Sequence, residues 1–336
     1  MRKKLRIGVI GVGHLGRSHV RVLSEMDSCE LVGCYDIAAA KSESVAAEFG
    51  TRSFSSARDL ISECGAISLV VPTSDHYTCA VDILDAGRHL FVEKPLAATV
   101  EQGREIVELA DRCNLKVMVG HIERFNPAVI SLRGQITYPS FIEAHRLASF
   151  NSRGTDVAVI FDLMIHDIDL CLYLTKSDVT DIHASAAIVV SDKMDIANAR
   201  LTFASGCVAN LTASRISPKS MRKLRIFQPG GYVSLDFNEP AAEIYRLFKR
   251  DETSDAISGF SMSIDYGDTG KKIVYTKPAI KSCDMLTAEL GSFVESISKG
   301  RPVAIPGEEG FQALRIAAEI EKIAQAGLNN LQSHFK

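Results

Sequence analysis

A chain of 336 residues with 38 Lys and Arg against 41 Asp and Glu, net charge −3, is long enough for two ordinary domains. It has no basic excess with which to make nucleic acid its main ligand. Hydrophobic residues at 46% and charged residues at 24% are globular values that exclude general disorder. No apolar run approaches the ~20 residues of a membrane-spanning helix, so a soluble protein is expected.

The chain opens Met1-Arg2-Lys3-Lys4 before an apolar stretch, which imitates a secretory signal, but that stretch is glycine-rich and broken by His14 and Arg17. It has no small-residue cleavage site after it, and a cytoplasmic location is expected. The eight cysteines form no CxxC pair. Reduced, buried thiols are therefore predicted, with neither a disulfide framework nor a metal site.

Up to about residue 120, short β-branched runs alternate with helical patterns. Strands are predicted over Leu5–Ile10, Glu30–Tyr35, Ile67–Val71, His89–Val92 and Lys116–Val119, with helices over Leu15–Met26, Ala38–Phe49, Tyr77–Ala86 and Val100–Cys113. That alternation is the signature of a doubly wound parallel sheet. After Asn126-Pro127 the rhythm changes. One helix around Asp156–Leu174 precedes strands at Thr180–Val190, Ala197–Phe203, Val208–Arg215, Lys223–Gln228, Tyr232–Asp236 and Glu243–Phe248. Strands in succession predict a mainly antiparallel sheet in an α+β domain. Asp251–Thr269 reads as a loop, and helices follow at Met285–Lys299 and Glu309–Ala326. The expected fold is α/β, with a dinucleotide-binding Rossmann domain over 1–122 and a second, open-sheet α+β domain over 123–336.

Gly11-Val12-Gly13-His14-Leu15-Gly16 is a G-x-G-x-x-G between the first strand and the first helix. Glycines there let the backbone approach a pyrophosphate, and the helix start offers free N–H groups. Asp36, 20 residues beyond Gly16 at the end of the next strand, is placed to accept from an adenosine ribose. Its charge favours NAD over NADP, although Lys41 nearby weakens that preference. Glu93-Lys94-Pro95 ends the fourth strand at the ligand-collecting edge of the sheet. Lys94 there could lie beside the cofactor ring and bond a substrate hydroxyl, or the pair could be a solvated turn. In the first helix of the second domain, Asp162 and His166 stand at i, i+4 spacing. The acid could orient the imidazole for general acid–base work, or His166 could be a satisfied core residue. Asp167 and Asp169 are expected to serve packing. Ser214–Lys223, including Arg215 and Lys219, reads either as a solvated hairpin tip or as the rim of a pocket for an anionic substrate.

Together these positions resemble the glucose-fructose oxidoreductase, inositol dehydrogenase and rhizopine-catabolism (Gfo/Idh/MocA) family. The resemblance rests on Gly11/Gly13/Gly16, Val71-Pro72-Thr73 with His76, Glu93-Lys94-Pro95, Arg124-Phe125-Asn126-Pro127, and Asp162 with His166. It implies that His14, Leu15, Pro72, Thr73, His76 and Glu93 join the glycines, Asp36 and Lys94 in holding NAD. It further implies that Arg124 and Asn126 serve the substrate, that Lys94, Asp162 and His166 surround the reacting carbon, and that the open sheet serves homo-oligomerisation.

A narrower likeness, in Val119–Pro127, Asp162–Asp169 and Ser214–Pro218, is to a branch of UDP-N-acetylglucosamine 3-dehydrogenases. It implies oxidation of a sugar-nucleotide 3-hydroxyl ahead of an aminotransferase, for a diamino-sugar lipid A or related glycan. His166 is favoured as base because a lysine needs strong desolvation to lose its proton, and Lys94 then stabilises the alkoxide. Dehydrogenation of a uronic acid derivative, free sugar or cyclitol, and a non-catalytic NAD(H)-binding regulator, are the alternatives.

Overall fold

The computed structural model describes residues 4–132, 134–150, 157–252, 259–265 and 267–334. Met1-Arg2-Lys3 and the expected helix start at Asp156 lie outside the described residues. None of the described helices is long and apolar enough to cross a membrane.

The first unit comprises residues up to Ile122 together with Asp284–Arg315. Its parallel strands are β1 (Leu5–Ile10), β2 (Cys29–Tyr35), β3 (Ala66–Leu69), β4 (His89–Glu93) and β5 (Val117–Gly120), in the order β2-β1-β3-β4-β5. Strands flanked on both faces must be apolar throughout, and Ile7, Val9, Ile67, Leu69, Leu90 and Val92 are all fully buried. The crossovers are α1 (His14–Glu25), α2 (Ala39–Glu48) with α3 (Ala57–Glu63), α4 (Thr73–Asp85) and α5 (Val100–Arg112). The order reverses between β1 and β3, the switch point at which such sheets bind ligands.

The returning segment contains α8 (Met285–Ser298), which packs on α1 and β1. Its apolar face, with Leu290, Phe293 and Val294 fully buried, places Asp284–Arg315 with the first unit. The sequence reading assigned everything beyond residue 122 to the second domain. The boundary between the two units instead recrosses the chain within α9 (Gly307–His334), at Arg315.

The second unit, Glu123–Cys283 with Ile316 onward, contains a π-helical turn (Ile160–Met164) leading into α7 (Ile165–Thr175), and a short α6 (Pro127–Ile130). Its strands are β6 (Phe141–Leu147), β7 (Val179–Ala187), β8 (Ile196–Phe203), β9 (Val208–Ser214), β10 (Met221–Gln228), β11 (Gly231–Asp236), β12 (Ala241–Lys249), β13 (Gly259–Asp265) and β14 (Lys271–Pro278). Among the described residues they form one nine-stranded sheet, β13-β14-β12-β11-β10-β6-β9-β8-β7. It is antiparallel except where β6 runs parallel to β9.

Two differences from the sequence reading have physical causes. β6 escapes notice because its inward positions are Ile142, Ala144 and Arg146, so a buried cation interrupts the apolar alternation. β13 falls within the expected loop Asp251–Thr269, part of which lies outside the described residues. It is an edge strand with every residue exposed, and it carries no burial pattern to read.

Candidate active site

The glycine loop is shaped by three different demands. Gly11 has φ +87°, and a Cβ there would lie 2.5 Å from the Val70 carbonyl oxygen. A Cβ on Gly16 would lie 1.9 Å from the Gly11 oxygen, so that glycine lets α1 start against the loop. Gly13 faces open space. No side chain caps α1 at Gly13, which leaves the first-turn N–H groups of His14, Leu15 and Gly16 for an anion.

Asp36 closes the other end of the cradle. Its Oδ2 accepts the Val12 N–H at 2.9 Å and its Oδ1 the Ala38 N–H at 2.9 Å. The carboxylate thus braces the glycine loop against the start of α2 while keeping lone pairs for ribose hydroxyls. Ile37 beside it is 94% exposed and Lys41 is exposed. These residues fit the phosphates and ribose of a dinucleotide.

Pro72 is exposed and Thr73 half-buried at the start of α4. His76 is not an exposed ligand group. It is 1% exposed, with Nδ1 2.9 Å from the Pro95 carbonyl and Nε2 3.0 Å from the Val71 carbonyl. Burial lowers its pKa below the ordinary histidine value, against the pull of those carbonyls. The neutral ring donates to one carbonyl at a time. His76 therefore ties the Val71-Pro72-Thr73 loop to Lys94-Pro95 and shapes the site without facing a ligand. Glu93 and Lys94 are half-buried at the end of β4.

Asp162 lies in the π-helical turn and His166 near the start of α7, both half-buried. The i, i+4 pair thus spans the junction of a π-helical turn and an α-helix, and such turns are frequent at functional sites.

Three of the expected substrate residues, Arg124, Asn126 and Arg215, make hydrogen bonds within the chain. Arg124 makes a bidentate pair with Asp169, Nε–Oδ2 2.8 Å and Nη2–Oδ1 2.6 Å, with both side chains buried. Asn126 caps α6 by accepting the Ala128 N–H at 3.0 Å and donates to Glu123 at 3.1 Å. Arg215 is buried and donates to the Val157 carbonyl at 2.6 Å. Arg215 is thus no rim residue, and because β6 lies between β9 and β10 its loop is not a hairpin tip. Lys219 is exposed on that loop.

Arg146 reaches Asp167 at 2.8 and 3.0 Å and Glu123 at 2.7 Å. Burial works against charge on the guanidinium, yet Asp167 and Glu123 together raise its pKa above the usual arginine value. Burial pushes the Asp167 carboxyl up, with Arg146 opposing it. Arg146 therefore stays protonated, and Asp167 holds its charge less readily than an exposed aspartate. Asp195 is fully buried. Burial alone would raise its pKa, but Ser191 and the N–H groups of Val189, Val190 and Ser191 hold it well below the carboxylate range. Sequence reasoning missed Glu123, Arg146 and Asp195. A charged residue at an inward position of an alternating run is the signal that could have exposed Arg146.

Residues 5–121 match the model of an oxidoreductase family with an NAD-binding Rossmann fold, and residues 128–234 match the Gfo/Idh/MocA C-terminal domain. The chain belongs to the Gfo/Idh/MocA family. It is 37% identical over 325 residues to the UDP-N-acetylglucosamine 3-dehydrogenase of Acidithiobacillus ferrooxidans, covering 96% of this chain and 98% of that enzyme. A solved structure of that dehydrogenase superposes with a TM-score of 0.86 at 35% identity, over 96% and 99% of the two chains. An inositol 2-dehydrogenase of Rhizobium meliloti is 23% identical over 346 residues, 96% and 97% of the respective lengths. As a Gfo/Idh/MocA oxidoreductase the chain uses NAD, which its glycine loop and Asp36 are shaped to hold, and the family acts on CH–OH groups.

Proposed function

We propose that this oxidoreductase oxidises the 3-hydroxyl of UDP-N-acetylglucosamine to a 3-keto sugar. The observation that carries this reading is the similarity to an enzyme of that activity across almost the whole of both chains, on a chain whose own residues build the dinucleotide cradle. Bound NAD supplies the hydride acceptor. His166 would take the proton of the 3-hydroxyl as the C3–H bond breaks, its hydrogen and electron pair departing together as hydride for the nicotinamide while the carbonyl forms. Lys94 stabilises the oxygen as it gains negative charge, Asp162 orients the imidazole, and Lys219 is the exposed cation available to the nucleotide diphosphate. Aminotransfer to the 3-ketone is the step that would consume the product, in the making of a diamino-sugar glycan. A soluble cytoplasmic setting suits both nucleotide substrates.

Homo-oligomerisation through the open sheet belongs to the same reading. Phe141, Phe227, Tyr232, Tyr245, Tyr275 and Phe260 form a ladder across β6, β10, β11, β12, β14 and β13, with ring centroids 4.8–6.2 Å apart. Phe227 and Phe260 are 39% and 61% exposed, an apolar face of the kind that protein partners cover. Tyr245→Lys should shift sedimentation toward the monomer.

The substrate test is incubation with NAD and a panel of UDP-sugars, free sugars and inositols, with an aminotransferase to draw off ketone. NADH should appear with UDP-N-acetylglucosamine. Turnover of myo-inositol or free glucose, with none on UDP-sugars under coupling, would overturn the assignment. NAD binding with no turnover on any of them would favour the non-catalytic regulator.

A further inference from the structure

Behind the glycine loop, α1, β3 and β4 each send one polar side chain into an otherwise apolar interior. His19 on α1 and Ser68 on β3 are fully buried. Glu93, the last residue of β4, has a side chain 13% exposed. Ser68 Oγ lies 2.9 Å from His19 Nδ1, and Glu93 Oε1 lies 3.2 Å from His19 Nε2. Phe91 meets the imidazole edge-on at 5.6 Å between centroids, so packing as well as polarity fixes the ring. A carboxylate can only accept, so Nε2 carries the proton that faces it, and Nδ1 then accepts from the Ser68 hydroxyl. The Nε2 contact does not meet hydrogen-bond geometry. What acts across it is the attraction of the Nε2–H dipole for the carboxylate charge, which water does little to screen at a buried site.

The carboxylate is also confined on its other sides. Glu93 Oε2 accepts the N–H of Lys94 at 3.3 Å. Gly120 stands opposite Glu93 on β5, and a Cβ there would fall 2.9 Å from the carboxyl carbon. A leucine at position 19 would pack against Phe91 but would leave the buried Ser68 hydroxyl and the Glu93 carboxylate facing an apolar group. The three polar side chains are thus buried as a set, and the set lies next to Lys94.

We propose that His19 is a positioning residue for hydride transfer: it holds the Glu93 carboxylate, which through the Lys94 N–H sets the direction in which the lysine leaves the sheet. The inference rests on the reading of Lys94 as the group that stabilises the forming alkoxide. His19 touches neither substrate nor cofactor in this scheme.

The test uses the full chain with His19→Leu, His19→Gln and Glu93→Gln. Glutamine can still offer an N–H toward Glu93 and leucine cannot. His19→Leu should lower kcat about ten- to a hundredfold, the scale of a small misplacement at a reacting centre, with the sugar KM within about twofold. NAD should bind several-fold more weakly while ADP-ribose, which lacks the nicotinamide, binds as before. His19→Gln should restore most of kcat, and His19→Leu/Glu93→Gln should be no slower than His19→Leu alone.

Equal weakening of ADP-ribose and NAD would mean that His19 only packs α1, and would overturn the proposal. So would an unchanged kcat in His19→Leu, or a folded His19→Gln that rescues nothing. If no UDP-sugar is turned over, the substrate reading fails, but the comparison of NAD with ADP-ribose still decides the part played by His19.

Discussion

Removing the Asp36 carboxylate should weaken NAD and spare NADP, and the structure sets the size of the effect. Asp36 accepts two backbone N–H bonds at 2.9 Å, from Val12 inside the glycine loop and from Ala38 at the start of α2. A hydrogen bond to a charged group contributes about 1.5–3 kcal/mol net. These two braces hold the loop whether or not NAD is bound, so Asp36→Ala loses from the bound state chiefly the hydrogen bonds that the carboxylate accepts from the ribose. At about 1.5–3 kcal/mol in total, that loss corresponds to NAD binding about 10–150-fold more weakly.

For NADP the terms oppose one another, because a carboxylate about 4 Å from a phosphate charge costs about 1 kcal/mol even in water. Relief of that repulsion offsets part of the lost hydrogen bonding, so NADP should change by less than about tenfold. Asp36→Asn, which keeps one acceptor oxygen, should fall between wild type and Asp36→Ala. Calorimetric titration of both nucleotides at one ionic strength measures this, since salt screens the repulsion. If folded Asp36→Ala binds NAD within twofold of wild type, or if the wild type binds NADP at least as tightly, the reasoning fails.

Arg124→Met should cost about 3–5 kcal/mol in urea unfolding, because it takes the guanidinium away from the buried Asp169 carboxylate, and Arg124→Met/Asp169→Leu should recover most of it; a loss below about 1 kcal/mol would mean that other groups carry that charge. Burial pushes the thiol of Cys64 up to about 12 and those of Cys29, Cys34 and Cys207 up to about 11. A folded pKa raised above the unfolded value of about 8.5 gives stability that is complete below that pH and drains away as pH rises through the folded values. The urea midpoint should therefore fall between about pH 8.5 and 11, less steeply in Cys64→Ala, and a flat profile would contradict this. The exposed Cys113 and Cys283 should react with a thiol reagent well before the buried ones. His166→Asn should lower kcat about 10²–10⁴-fold and abolish the acidic limb of kcat/KM, while Lys94→Ala lowers kcat and keeps that limb; the reverse pattern would make lysine the base.

The first unit was legible because its strands are apolar on both faces and its glycines are required by backbone geometry. Gly11 and Gly16 face carbonyl oxygens where no Cβ fits, and Asp36 falls where β2 ends. The second unit was legible only where alternation was clean. Arg146 at an inward position hid β6, and β13 has no buried side to betray it. The partners that Arg124, Asn126 and Arg215 meet in the fold were not legible, because sequence does not show whether a polar side chain turns to a ligand, to a buried carboxylate or to a backbone carbonyl. Their partners, Asp169 and Glu123 among them, come from separate elements. His19 and Ser68 were invisible for a related reason, since a polar residue on an apolar helix face acquires meaning only when the strand beneath it is known.

The central place of β6 also bears on how the sheet can assemble. β7, β8 and β9 succeed one another as neighbours, as do β10, β11 and β12, so each group can pair through short connections. β6 must instead join Ile142 to Ala209 on one side and to Ile226 on the other, contacts that close long loops. Two locally formed meanders thus wait on one distant strand, and that strand carries Arg146 into contact with Asp167 and Glu123. If the docking of β6 limits folding of the second unit, Arg146 variants should refold more slowly as well as unfold faster, and unchanged refolding would place that docking after the rate-limiting step.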